Sequence, residues 1–217
     1  MRGRIIAIGD IHGHAKALAA LVEFVRITAE DTVVTLGDYV DRGPDTKGIL
    51  NQLLELQTRC QLIPLMGNHE EMMLGAREGR SDFEFWKRFG GDAALDSYGS
   101  GRTVDLIPHE HWEFLKRLPL CHESNGHFFA HANYAPNQPW NQQSSRVLLW
   151  LDLADLPARH YSGKTAIVGH TPQKDGKVLD LGYLTCIDTG CGHGGLLTAL
   201  DVNSRQIWQV TETGREV

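Results

Sequence analysis

Cysteine is scarce in this chain, and the four present, Cys60, Cys121, Cys186 and Cys191, form no CxxC pair. That spacing excludes a thiolate metal site and a disulfide framework, and leaves free thiols in a reducing compartment. Cys191 stands apart because it lies in the glycine-rich stretch IDTGCGHGG (Ile187 to Gly195), beside expected site loops. Long apolar runs are also missing. The first one stops at Asp10, too short for the apolar core of a signal peptide. Nothing approaches the ~20 apolar residues of a membrane span. A cytoplasmic protein with no membrane partner is therefore expected. There is no run of lysine or arginine, and the formal net charge of −6 speaks against a nucleic-acid partner. Repeats and low-complexity segments are absent too. At 217 residues the simplest organisation is a single domain over 1–217 that buries its own core.

What is present is an alternation of elements. Arg4 to Ile8 is an apolar, β-rich run, and Leu18, Leu21, Val22 and Val25 recur at helical spacing within a helix expected over about Ala15 to Ile27. Thr32 to Leu36 reads as a second strand, Ile49 to Leu54 as part of a second helix, and Gln61 to Leu65 as a third strand. Strand, loop and helix repeated in this way predict parallel βαβ units, with ligands at the carboxyl ends of the strands. From Gly75 to Pro108 the pattern turns irregular and aromatic (Phe83, Phe85, Trp86, Phe89, then Trp112). A helical insertion or cap over about 75–118 is expected, either beside the site or simply packed as its own helical region. The second half is β-rich. Asn125-Gly126 signals a hairpin between Leu120–Cys121 and His127–Ala130. Strands are expected at Ala166–Val168, Leu184–Ile187, Leu196–Asp201 and Gln206–Val210.

Five short motifs punctuate this order: GDIHG (Gly9 to Gly13), GDYVDRG (Gly37 to Gly43), GNHE (Gly67 to Glu70), HA (His131, Ala132) and GHT (Gly169 to Thr171). They supply Asp10, His12, Asp38, Asn68, His131 and His170, a mixture of carboxylate, imidazole and amide donors without a thiolate. Imidazole suits zinc, iron or nickel, and oxygen donors suit manganese or magnesium. Two such ions about 3.5–4 Å apart can clamp the attacking and leaving oxygens of a phosphoryl displacement. The donors read as a dinuclear phosphatase centre with Asp38 as the natural bridge. Water acidified by metal supplies hydroxide near neutral pH, so no protein nucleophile is required.

The ordered motifs resemble the metal-dependent phosphoprotein phosphatases, in particular the small bacterial-type members of the calcineurin-like metallophosphoesterases. The likeness runs from about residue 4 to residue 200. It implies an α/β fold of the α+β kind, a two-sheet β-sandwich flanked by helices. It also implies two divalent ions per chain, with manganese expected and iron, zinc, nickel or magnesium also suited. By this resemblance Asp10, His12 and Asp38 hold one ion, and Asp38, Asn68, His131 and His170 the other. His69 is then the general acid that protonates the leaving oxygen, and Asp41 keeps its imidazole cationic. Arg42, with Asn68, binds the phosphate oxygens. Glu70 and Glu71 are read as structural acids at a helix start. His14 falls near the first ion without matching a ligand position. His109, His111, His122, His127, His160 and His193 receive no site role. The family arginine before GNHE is absent, Met66 taking its place, and neither Arg146 nor Arg159 sits in a matching context. The expected activity is a phosphomonoesterase, a serine/threonine or dual-specificity protein phosphatase, acting on phosphorylated protein or a small phosphate ester. A symmetrical bis(5'-nucleosyl)-tetraphosphatase is the alternative. A catalytically silent binding module would be expected to lose ligands or the His69–Asp41 pair, and none is lost.

Overall fold

The computed structural model describes residues 3–79, 82–124 and 126–217. The chain begins β1 (Ile5–Ile8), α1 (Ala15–Val25), β2 (Thr32–Thr35), α2 (Thr46–Arg59), β3 (Gln61–Pro64) and α3 (Asn68–Arg77). A helical segment follows: α4 (Phe83–Trp86), a π-turn over Lys87–Gly91, α5 (Asp92–Asp96) and α6 (His109–Lys116). The second half carries β4 (Cys121–Ser124), β5 (His127–Ala130), α7 (Ser145–Trp150), β6 (Thr165–Val168), β7 (Leu179–Asp180), β8 (Leu184–Cys186), β9 (Leu196–Asp201) and β10 (Ile207–Thr211). Two mixed sheets result, in the orders β10-β9-β1-β2-β3 and β4-β5-β6-β8-β7. β1, β2 and β3 run parallel, as do β5, β6 and β8.

Period-two alternation sorts the side chains into three apolar layers. Ala7, Val34, Phe129, Ile167 and Leu200 lie between the sheets. Their neighbours Ile6, Ile8 and Val33 point to the outer face, where α1, α2, α3 and α6 cover them. Phe128, Ala130, Ala166 and Val168 pack outward on the second sheet, under Trp140, Leu148 and Leu153. Each fully buried Ile or Phe contributes about 1.5–3 kcal/mol by leaving water. That burial makes the sandwich a stiff frame for the loops at its strand ends.

Element boundaries differ modestly from expectation. α1 stops at Val25 rather than Ile27, because Arg26 takes a left-handed conformation (φ 54°) and its N–H returns to the carbonyls of Glu23 and Val22. The hairpin expected at Asn125-Gly126 forms, with Ser124 paired to His127; Asn125 itself lies outside the described residues. The two-residue β7 went unanticipated, since so short an edge strand leaves no periodic trace.

Candidate active site

The three N-terminal motifs each follow a parallel strand, and their loops are laced together by main-chain bonds. The N–H groups of Ile11 and His12 donate to the Asp38 carbonyl at 3.0 and 2.8 Å, and Gly43 N–H donates to the His12 carbonyl at 3.0 Å. A side chain at Gly43 would collide with that same carbonyl, and one at Gly67 would collide with the Asp38 carboxylate. Buried Glu70 ties the second and third motifs: its carboxylate accepts N–H bonds from Asp38 (2.8 Å), Tyr39 (2.8 Å), Val40 (3.1 Å) and Gly67 (2.8 Å). Its work is to hold two loops together, beyond the helix-start role its position suggested. Glu71 instead accepts the Trp150 indole N–H at 2.6 Å.

Among the described residues, five of the eight non-glycine residues with positive φ are His12, Asp38, Asp41, Arg42 and His170. Left-handed backbone at such residues is costly, and it persists where the surrounding structure over-determines it, commonly at functional sites. The left-handed turn at His12 sets the direction of its ring.

Two overlapping donor groups form. Ligand atoms of His12, Asp38 and His69 lie within 4.8 Å of one another, as do those of Asp38, His131 and His170. In the second group the ring hydrogens can be placed. His131 Nδ1 donates to the Leu36 carbonyl at 2.9 Å, so its Nε2 is a bare acceptor. His170 donates to the Trp150 carbonyl and turns Nδ1 inward. His131 Nε2 lies 2.9 Å from Asn68 Oδ1 and 3.1 Å from His170 Nδ1, and Asp38 Oδ1 is 3.3 Å from His131 Nε2. Acceptors meeting at such distances repel unless a cation stands among them, so this donor set fits a divalent metal. His12 follows the same logic: Nδ1 donates to the Val40 carbonyl at 3.1 Å, leaving Nε2 bare, 3.3 Å from Asp38.

Asp10 sits outside both groups. Its carboxylate accepts the His170 N–H at 3.1–3.2 Å, and burial, Asp188 and Asp38 push its pKa well up. Asp188, which the motif reading passed over, is buried and raised to about 7, chiefly by burial and further by Asp38. Three carboxylates this close again call for positive charge. Burial alone would also raise Asp38, but the imidazoles of His131, His69, His12 and His170 outweigh it and hold it far below the usual carboxylate range. Burial lowers His12, His170 and His131, the last to about 4, which favours the neutral rings that ligate metal.

Beside these donors lies a hydrogen-bonded chain. His69 Nδ1 donates to Asp41 Oδ2 at 2.7 Å, and Trp86 Nε1 donates to both Asp41 oxygens at 3.1 and 3.0 Å. Burial works against the His69 cation, but Asp38 and Asp41 outweigh it and raise the ring's pKa. Asp41 is wholly buried; burial raises it while His69 and Trp86 oppose. Arg42 lies across the opening: Nη1 donates to His12 Nε2 (2.6 Å) and His193 Nε2 (2.9 Å), and Nη2 lies 3.1 Å from His69 Nε2. Its backbone N–H donates to the Gly90 carbonyl at 3.2 Å, anchoring the helical segment to the site.

Trp86 and His193 are therefore site residues beyond the motif set. The glycines around His193 were the one sequence signal available for it; Trp86 had none beyond its aromatic neighbourhood. His14 lies 3.5 Å from Glu212. His111 is buried against Tyr98 and Asn51, and His160 stacks on Trp140, both away from the site. Arg146 and Arg159 are exposed, and Met66 packs against the core of the first sheet. Cys191 is a buried thiol bonded to the Ile11 carbonyl, and burial raises its pKa strongly.

The chain is similar to known proteins in sequence and in fold. The calcineurin-like phosphoesterase family profile matches residues 3–184. A curated serine/threonine-protein phosphatase 1 of Salmonella typhimurium is 32% identical over 203 residues, 88% of each chain. A symmetrical bis(5'-nucleosyl)-tetraphosphatase of Bordetella pertussis is 32% identical over 135 residues, 61% of this chain but only 44% of that protein. Among solved structures, a putative diadenosine tetraphosphatase superposes with a TM-score of 0.75 at 22% identity, covering 97% of this chain and 94% of the other. The chain belongs to the calcineurin-like phosphoesterase family, among the hydrolases of phosphoric esters.

Proposed function

We propose that this protein is a metal-dependent phosphomonoesterase that removes phosphate from serine, threonine and tyrosine side chains of proteins. The reading is carried by one observation: the buried His69–Asp41 pair at 2.7 Å stands beside the convergent donors and under the Arg42 guanidinium. Asp10, His12, Asp38, Asn68, His131 and His170 would hold two divalent ions, manganese among those suited. Such ions would supply Lewis acidity and acidify the attacking water.

The residues of this chain do the rest. His69, kept protonated by Asp41, delivers a proton to the leaving oxygen. Trp86 fixes the Asp41 carboxylate so that the imidazole keeps one orientation. Arg42 offers its planar N–H fork to the phosphate oxygens, which are stronger acceptors than the imidazoles it now contacts. Asn68 shares that phosphate-binding role. The helical segment around 75–118 acts as a cap within a single domain, because Trp86 and Gly90 bind the second motif directly.

A second reading, symmetrical hydrolysis of bis(5'-nucleosyl) tetraphosphates, is favoured by the cavity of about 530 Å³ bounded by His193, the partner of Arg42, and by Lys174 and Pro172. A leaving nucleotide would be accommodated there. Side-by-side assays of a phosphoserine peptide and diadenosine tetraphosphate, at controlled metal loading, decide between them. The phosphopeptide is expected to be the better substrate by kcat/KM; a preference for the dinucleotide overturns the first reading in favour of the second.

A further inference from the structure

The guanidinium of Arg42 contacts three imidazoles and, among the described residues, forms no ion pair. Two of those rings have other duties in the proposed reaction: His12 ligates and His69 protonates. The third does not. His193 therefore remains as the one partner that can hold the fork while phosphate is bound, and its Nε2 accepts from Nη1 at 2.9 Å. A guanidinium only donates, so the His193 proton resides on Nδ1 and the ring is fixed as an acceptor towards Arg42.

His193 occupies a loop that would wander if left to itself. Gly190, Gly192 and Gly194 have φ of 85°, 93° and 81°, and His193 itself is exposed. The loop is tied from outside. Glu212, just beyond the end of the edge strand β10, accepts the Gly192 N–H at 3.1 Å and the Gly194 N–H at 2.8 Å through a single oxygen, Oε1. These two bonds bracket His193. None of the three residues Glu212, Gly192 and His193 lies within the segment matched by the family profile.

We propose that Glu212 and His193 are positioning residues for phosphate: Glu212 fixes the glycine loop, the loop presents His193, and His193 orients the Arg42 fork. The proposal rests on the reading of Arg42 as the phosphate clamp. Losing a positioning group should weaken phosphate capture while leaving the proton delivery by His69 intact.

The test measures KM and kcat for p-nitrophenyl phosphate, and phosphate affinity by calorimetry, on metal-loaded wild type and the variants H193A, E212A, E212Q, H193A/E212A and R42A. H193A and E212A are each expected to raise KM and the phosphate Kd roughly 5–10-fold, the scale of one ordinary net hydrogen bond, with kcat within about twofold. E212Q keeps a carbonyl oxygen for the two N–H groups and is expected to match wild type. The double variant should be no worse than H193A, because both act through one route. Multiplying effects, a loss in kcat instead of affinity, or an E212Q as weak as E212A overturns the proposal. If E212A fails to fold, H193A and E212Q still decide it. An R42A that keeps its phosphate affinity overturns the clamp reading itself; an R42A that loses it while H193A does not overturns only the positioning.

Discussion

The donor cluster and the Arg42 fork lie side by side yet are built by opposite means. The cluster hangs on the ends of buried parallel strands, and the Glu70 carboxylate together with backbone bonds at Asp38 and His12 laces its loops. The fork is one side chain whose orientation depends on rings distant in sequence, His193 being 151 residues away. The first is held by main chain and close packing, which yield little. The second is held by side-chain contacts at an exposed glycine loop, which can be re-aimed. Ligands that define a metal site need rigidity, whereas an anion clamp tolerates adjustment.

The largest effect should come from the cluster's shared carboxylate. Asp38→Asn removes the charge that faces His12, His69, His131 and His170 together, so bound metal by elemental analysis should fall and hydrolysis should drop below detection. Retention of metal and activity would show that the cluster does not hinge on Asp38. Next is His69→Asn, which should cost roughly 10²–10⁴-fold in turnover, the usual worth of acid catalysis, while metal content stays unchanged. The loss should be smaller for p-nitrophenyl phosphate than for an alkyl phosphate, whose leaving oxygen needs the proton more. Concurrent loss of metal in this variant would erase the separation between the two regions.

A milder change tests the support behind the acid. Trp86→Phe leaves the buried Asp41 carboxylate with His69 as its one side-chain partner among the described residues and should slow turnover about tenfold, near the 1.4 kcal/mol of one such bond, with phosphate Kd unchanged. An equal rise in Kd would mean that the cap acts on the fork. The smallest effect lies outside both regions. Asp31, buried beneath Arg4 and Thr28, has its pKa lowered to about 2 by hydrogen bonding to Arg4. Because the folded value is below the ordinary one, this stabilisation is present above about pH 4 and fades as pH falls towards 2. Asp31→Asn should therefore lower stability at pH 7 by about 1–2 kcal/mol, the exposed side of Arg4 being screened, and the difference should vanish near pH 2 in denaturant titrations. A gap that persists there would assign the loss to packing.

Met66 shows where a sequence expectation needed the fold. Its place before GNHE invites an arginine substitution to gain phosphate affinity, but the side chain packs against the first sheet's core. An arginine there would have to leave apolar contacts before its guanidinium could reach an anion.

The residues alone determined the family motifs, the parallel strand order behind them and the donor chemistry, because periodicity and short loops at strand ends are local properties. Asp10, His12, Asp38, Asn68, His131 and His170 could be named as candidate donors from the motifs that carry them. Only the tertiary structure decided that Glu70 laces two loops, that Trp86 supports Asp41, that Asp188 crowds Asp10, and that His193 and Glu212 stand behind Arg42. Each of these is a contact between segments far apart along the chain. No local pattern encodes such a meeting, since it depends on how two sheets pack and where their edge loops then fall.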